Sequence, residues 1–190
     1  MLKIMVLGAA SPVSELVIED LEMNADIDYV FYNSDVVTPN ELQMALKDVN
    51  VIYCNLPAED IDQNILTVFE VLRSQQQVLD RFILLTEVGV NGELNDQAQL
   101  TAEQREIRWQ QQYAIKIIDE EEINYTVIRQ SPLTNPGSDK LTIYQEGTPM
   151  PQGTVSVTNV AKISLEALFT EKFVNQSIGL IDRLTTEEAK

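Results

Sequence analysis

The chain has 190 residues, 44% of them hydrophobic, with 30 acidic residues against 13 basic ones, one cysteine and no histidine. A net charge of −17 with no basic patch repels nucleic acid and anionic membrane surfaces. The lack of histidine removes His-based triads, His general bases and nearly all zinc sites, so no metal site is expected.

The length suits one domain with a real core, read as residues 1–183 with a polar tail over 184–190. The longest apolar runs are strand-sized, so none is expected to span a membrane. The short N-terminal apolar run leads directly into the fold and does not read as a secretory signal. Cys54, the single cysteine, fits a reducing compartment, and the expected location is the cytoplasm.

In chain order, KIMVLG (3–8) reads as a buried strand, and apolar residues at helical spacing over 13–23 read as a helix. DYVFYN (28–33) is a second strand. The stretch 38–49 reads as a helix, with Thr38 as cap, Pro39 at the first position and Glu41 three residues after the cap. NVIYCNL (50–56) is a third strand, 61–73 a helix, and RFILLTEVG (81–89) a fourth strand with its exit. A polar loop over 90–100 precedes a long charged helix over 101–122 and a fifth strand, INYTVIRQ (123–130). Pro and Gly break the pattern over 131–140. A short strand (141–147), a final helix (158–169) and a last strand (177–182) follow.

This alternation predicts an α/β fold: a doubly wound, mostly parallel sheet with helices on both faces in three layers. Ligands of such sheets bind at the carboxyl ends of the strands, where the strand order reverses. That directs attention to the loops after Leu7, Tyr32, Leu56 and Thr86.

The first of these loops, LGAASPVSEL (7–16), stands between a strand and a helix start, where a dinucleotide fold places its phosphate turn. Ser11 as N-cap and Pro12 at the first helical position also make a sound helix start with no ligand. Pro12 carries no N–H where a phosphate would be gripped. One lost charge-assisted hydrogen bond, about 1.5–3 kcal/mol, weakens such a site about 10- to 100-fold without abolishing it. After the second strand, Asp35 falls at the spacing of a carboxylate that takes ribose hydroxyls, with a solvated loop carboxylate as the alternative. No Lys or Arg lies between Lys3 and Lys47 to meet a 2′-phosphate, which favours NAD over NADP.

The segments VLGAASPVSELV, DVNVIYCNLP, RFILLTEVGV, INYTVIRQSPLT and EGTPMPQGTVSVTNVAKISLEAL together resemble the small, single-domain, atypical short-chain dehydrogenase/reductase proteins of the NmrA-like, NAD(P)-binding group. The resemblance runs nearly end to end, and the fifth-strand segment is its most specific part. It implies a Rossmann sheet and an oxidoreductase that uses NAD or NADP on a small carbonyl, quinone or flavin substrate; other members bind the cofactor as sensors. It assigns cofactor contacts to Gly8, Ala10, Ser11, Pro12, Val13, Asn33, Asp35, Leu56, Pro57 and Thr86.

Departures from the family pattern are equally specific. Ser11 and Ser14 replace the second and third glycines of GxxGxxG, and serine at 11 is unfavourable if the position needs a positive φ. Asn33 stands where NADP-preferring relatives carry arginine, and Pro57 where relatives often have glycine. The Tyr-x-x-x-Lys pair, in which lysine lowers the tyrosine pKa for proton transfer, is absent: its expected lysine region holds Gln111, Gln112 and Tyr113. Catalytic candidates reduce to Thr86, Glu87 and Tyr113, each with a plain structural alternative. Arg129 is either an anion contact or half of an ordinary salt bridge, and Cys54 is expected to be a buried, inert thiol. Trp109 and Tyr113 share one helix face as pocket walls, dimer contacts or core, with core the first expectation; a homodimer through the long helix is one expected assembly. Two readings compete with a working reductase: a non-catalytic redox-cofactor sensor, and an interaction scaffold that has lost cofactor binding.

Overall fold

The structure is a computed structural model that describes residues 2–94, 96–135 and 140–184, without the side chains of Gln97 and Leu184. In chain order it contains β1 (Leu2–Leu7), α1 (Pro12–Glu22), β2 (Ile27–Tyr32), α2 (Pro39–Ala45), β3 (Val51–Cys54), α3 (Ile61–Ser74) and β4 (Arg81–Glu87). A 3-10 turn at Gln97–Gln99 precedes α4 (Ala102–Glu120), β5 (Tyr125–Gln130), β6 (Leu133–Thr134) and β7 (Thr142–Gln145). The last elements are β8 (Gly153–Ser156), α5 (Val157–Phe169), β9 (Gln176–Ile181) and β10 (Arg183–Leu184).

Seven strands form one sheet in the order β2-β1-β3-β4-β5-β9-β7. All neighbours run parallel except β7, which closes the edge antiparallel to β9. Alternate residues of the inner strands face opposite layers. Ile4 and Val6 pack with Val13, Val17, Val160 and Ile163 beneath α1 and α5. Met5 and Leu7 pack with Leu42, Ile61, Ile65 and Ala114 beneath α2, α3 and α4. The result is the expected three-layer α/β Rossmann fold, with hydrophobic burial on both sheet faces as its driving force.

Strand order reverses at β1: β2 lies on one side and β3 on the other. Their outgoing connections diverge there and leave a crevice above the carboxyl ends of β1 and β3, the position where open α/β sheets bind ligands.

Several boundaries differ from the sequence reading. The second helix stops at Ala45 rather than 49, and Asp48 turns the chain with φ +62°. A small second sheet, β10-β8-β6, was not expected; part of it lies in the loop predicted over 131–140. Residues 136–139 of that loop are outside the described residues. Leu184, assigned to the polar tail, pairs with Gly153, and 185–190 lie outside the described residues. Among the described residues, no helix is long and apolar enough to cross a membrane.

Candidate functional site

The turn from β1 into α1 forms one wall of the crevice. Gly8 adopts φ +76°, and a Cβ there would lie 2.2 Å from the carbonyl oxygen of Asn55. Only glycine lets the turn lie this close to the end of β3. Ser11 is extended, with φ −77° and ψ 146°, so the position needs no positive φ and serine is unstrained. Its hydroxyl caps α1 by accepting from the Ser14 N–H at 3.0 Å. Ser11 Oγ also donates to Ser14 Oγ at 2.8 Å and accepts from the Asn55 side-chain amide. Ser14 is fully buried, where a small side chain allows close contact between helix and strand. Pro12 has no N–H and Ser14's is taken by the cap, which leaves the Val13 N–H as the first-turn donor without a protein acceptor among the described residues.

Above this turn opens a cavity of roughly 430 Å³. Gly8, Ala10 and Ser11 form one side, Asn33 and Asp35 the end beyond β2, and Leu56 and Pro57 the rim after β3. Thr86, Glu87, Gln111 and Gln130 close the far end. The backbone at Asp35 is fixed by Asn64, whose amide donates to the Asp35 carbonyl at 3.1 Å and accepts from the Val37 N–H at 2.9 Å. Gln111, buried on α4, accepts from the Glu87 N–H at 2.8 Å and so fixes the exit of β4. Thr86 Oγ1 and Gln130 Oε1 are buried without a protein partner among the described residues, at the end of the cavity they share. A buried polar atom left unpaired is costly, which sets these two apart from the satisfied polar groups around them. Among the described residues no lysine or arginine lines the cavity, while Asp35 and Glu87 do.

A second cavity of roughly 680 Å³ adjoins the first and shares Glu87 and Gln130 with it. Its walls are largely apolar: Val88, Leu94, Pro132, Leu133 and Pro151. The segment after β4 that builds one wall is held by two ion pairs. Arg108 forms a two-pronged contact with Asp96, at 2.9 and 3.0 Å, which holds the Asp96 carboxyl below the usual carboxylate range. Arg129 meets Glu93 at 2.5 Å, with both side chains essentially unexposed (0% and 1%). Arg129 also donates to the carbonyls of Ser177 and Tyr144. Of its two sequence readings, Arg129 therefore takes the salt bridge.

Eight of the ten positions expected to contact a cofactor line the first cavity: Gly8, Ala10, Ser11, Asn33, Asp35, Leu56, Pro57 and Thr86. Pro12 is exposed and the Val13 side chain is buried in the core, so both belong to the helix start, not to the wall. Thr86 lines the first cavity only, whereas its neighbour Glu87 lines both. Tyr113 does not join them. Gln111, Ala114 and Ile118 occupy the inward face of α4, which turns Tyr113 and Trp109 outward. Trp109 is 60% exposed and Tyr113 52%, which corrects the expectation that they are core. Cys54 is fully buried within β3, and burial pushes its thiol up to about 12. Gln130 was not singled out from the sequence, because nothing local marks a glutamine at a strand end as cavity-facing.

A family model described as NAD(P)H-binding matches residues 17–171. No curated protein matches the chain significantly. Among solved structures, a short-chain dehydrogenase/reductase (wide type) from Veillonella parvula in complex with NADP is similar over 95% of this chain and 94% of its own, at 18% identity and a TM-score of 0.76. A Rossmann-fold NAD(P)-binding family protein from Shigella flexneri covers 96% and 94% at 20% identity, with a TM-score of 0.76. An anaerobillin reductase from Escherichia coli O157:H7 covers 95% and 97% at 15% identity, with a TM-score of 0.73. At these identities the likeness is one of fold.

Proposed function

The chain belongs to the NAD(P)H-binding family of Rossmann-fold proteins, and from that premise we propose that it binds NAD(H) in the crevice above β1 and β3 and serves as an oxidoreductase on a small molecule held in the adjoining cavity. The observation that carries this reading is the pair of joined cavities, with the unpartnered Thr86 Oγ1 and Gln130 Oε1 at the closed end of the first.

The residues present fit a dinucleotide without a 2′-phosphate. Gly8 keeps the floor of the turn free of side chain, and the Val13 N–H with the α1 dipole favours an anion. Asp35, which lines the cavity beyond β2, would accept ribose hydroxyls, and Leu56 and Pro57 would supply the apolar rim. The lining residues carry no cation for a 2′-phosphate, and Asp35 would repel it. A bound nicotinamide would give or accept a hydride. Thr86 and Gln130 would orient polar groups at the junction, and Glu87, the ionisable residue common to both cavities, would exchange the proton with the substrate heteroatom.

A second reading is a cofactor sensor without turnover. No tyrosine or lysine among the described residues lines either cavity, which favours it, because the family's proton relay then has no counterpart there. Titration calorimetry with NAD⁺, NADH, NADP⁺ and NADPH tests the proposal. The expected result is one site per chain for NAD(H), with NADP(H) at least about tenfold weaker. Turnover of carbonyl, quinone or flavin compounds by the loaded protein then separates reductase from sensor. Absence of heat and of thermal shift with all four forms would leave the scaffold reading. Trp109 faces solvent, so thermal shift is a better reporter than its fluorescence.

A further inference from the structure

The second cavity combines a large apolar volume with an uneven set of charges. Three carboxylates belong to this region: Glu87 lines the junction with the first cavity, Asp96 lines the second cavity, and Glu93 lies buried on the same segment after β4. Two guanidinium groups face them, and each is committed. Arg108 is bound to Asp96, with its charge also reaching Glu87 and Glu93, and Arg129 is bound to Glu93. Glu87 forms no ion pair among the described residues, yet it lines both cavities. Among the described residues, the lining of the second cavity contains no lysine or arginine. One negative charge is therefore left over at the mouth of a chamber of roughly 680 Å³ walled by Val88, Leu94, Pro132 and Pro151. Apolar walls lower the local dielectric, so this charge acts more strongly on a ligand inside than it would in water. A carboxylate or phosphate on that ligand would meet Glu87 with no cation among the described lining residues, Arg108 being shared among Asp96, Glu87 and Glu93.

We infer that the second cavity selects its substrate by charge: it takes an uncharged or cationic ring compound and rejects the anionic counterpart, and Glu87 is the residue that discriminates. Gln130, whose Oε1 is buried and unpartnered at the same junction, offers an acceptor to a ring N–H or hydroxyl. This inference rests on the proposed use of the cavity as the substrate compartment, but binding to it does not require the cofactor.

The test uses three ring probes of similar size on the full chain without cofactor: N-methylquinolinium, quinoline at mildly alkaline pH, and quinaldate. Affinity is read by calorimetry. Location is read from the amide shifts of Leu133, Gly153 and Thr154, which line the second cavity only. The expected result is that N-methylquinolinium binds at least about tenfold more tightly than quinaldate, with quinoline between them. Glu87→Gln should reduce that ratio to about twofold. Glu70→Gln, which removes the same charge from the exposed side of α3, should leave it unchanged and so accounts for the general pull of the acidic surface. Equal binding of cation and anion, an equal response of both variants, or no binding of any probe would overturn the inference. Discrimination among probes in a protein that gives no heat with NAD(H) would uphold the charge selection and refute the cofactor reading, so the two fail separately.

Discussion

At Gly8 and Ser11 the turn from β1 into α1 is a self-sufficient helix cap that leaves few free backbone donors. Ser11, Ser14 and Asn55 satisfy one another, and the missing glycines cost no backbone strain because the single left-handed residue of the turn is Gly8. Gly8→Ala should destabilise the fold by about 1–3 kcal/mol in chemical denaturation, since its Cβ would meet the Asn55 backbone. Pro12→Ala restores one N–H at the first helical position. It should tighten NADH about tenfold in calorimetry, one charge-assisted bond regained, while the Ser11 cap stays intact. The cap was legible in the sequence because serine followed by proline is a local signal. Asn55 as the lid on that cap, and Gln130 as a cavity residue, were not, because each acts through contacts remote in sequence. The i,i+4 spacing of Trp109 and Tyr113 told that they share a face of α4 but not which face turns inward. Burial of Cys54 was legible from its place inside an apolar strand. Its thiol should resist aromatic disulfide reagents in the native protein and react only at the rate of unfolding.

Among the elements, α5 is held at both ends by charges of the sign its dipole favours. Asp182 accepts from the Ser156 N–H at 2.7 Å and from the Asn159 amide at 2.9 Å at the amino end. Arg81 donates to the Ala167 and Thr170 carbonyls, at 2.7 and 2.6 Å, at the carboxyl end. Burial pushes the Asp182 carboxyl up, but the hydrogen bonds from Ser156 and Asn159 and the charge of Arg183 outweigh it and bring it below the usual carboxylate range. A depressed folded-state pKa contributes stability above the unfolded-state value and loses it as pH falls through the folded value. Stability should therefore decline on acidification below the ordinary carboxylate range. Asp182→Asn should be less stable at neutral pH and show a flatter decline, as read from denaturation midpoints across that range. The buried Arg129–Glu93 pair ties β5 to the segment after β4. Glu93→Ala should cost about 3–5 kcal/mol in unfolding free energy, because it strands a buried guanidinium. Helices and inner strands were legible because their apolar periods are long. Strands β6, β8 and β10 were not, since two to four residues carry no period and form only against one another.

For the whole molecule, the alternation of strands and helices dictates the three-layer sheet; the family shown is the NAD(P)H-binding one, and the likeness to a short-chain dehydrogenase/reductase is one of fold. The reversal of strand order at β1 gathers residues from four separate loops into one crevice, which explains why positions scattered from 8 to 86 line a single cavity. What the sequence could not supply is the second cavity, whose walls come from β4, β5 and the small sheet together. A strongly acidic chain with no lining cation in either cavity among the described residues is poorly matched to polyanions. The most direct measurement is a crystal structure grown with NADH. The account predicts a diphosphate seated against the Gly8–Val13 turn and a ribose at Asp35. Ligand density only elsewhere, or a crevice closed by the side chains of Asn55 and Pro57, would contradict it.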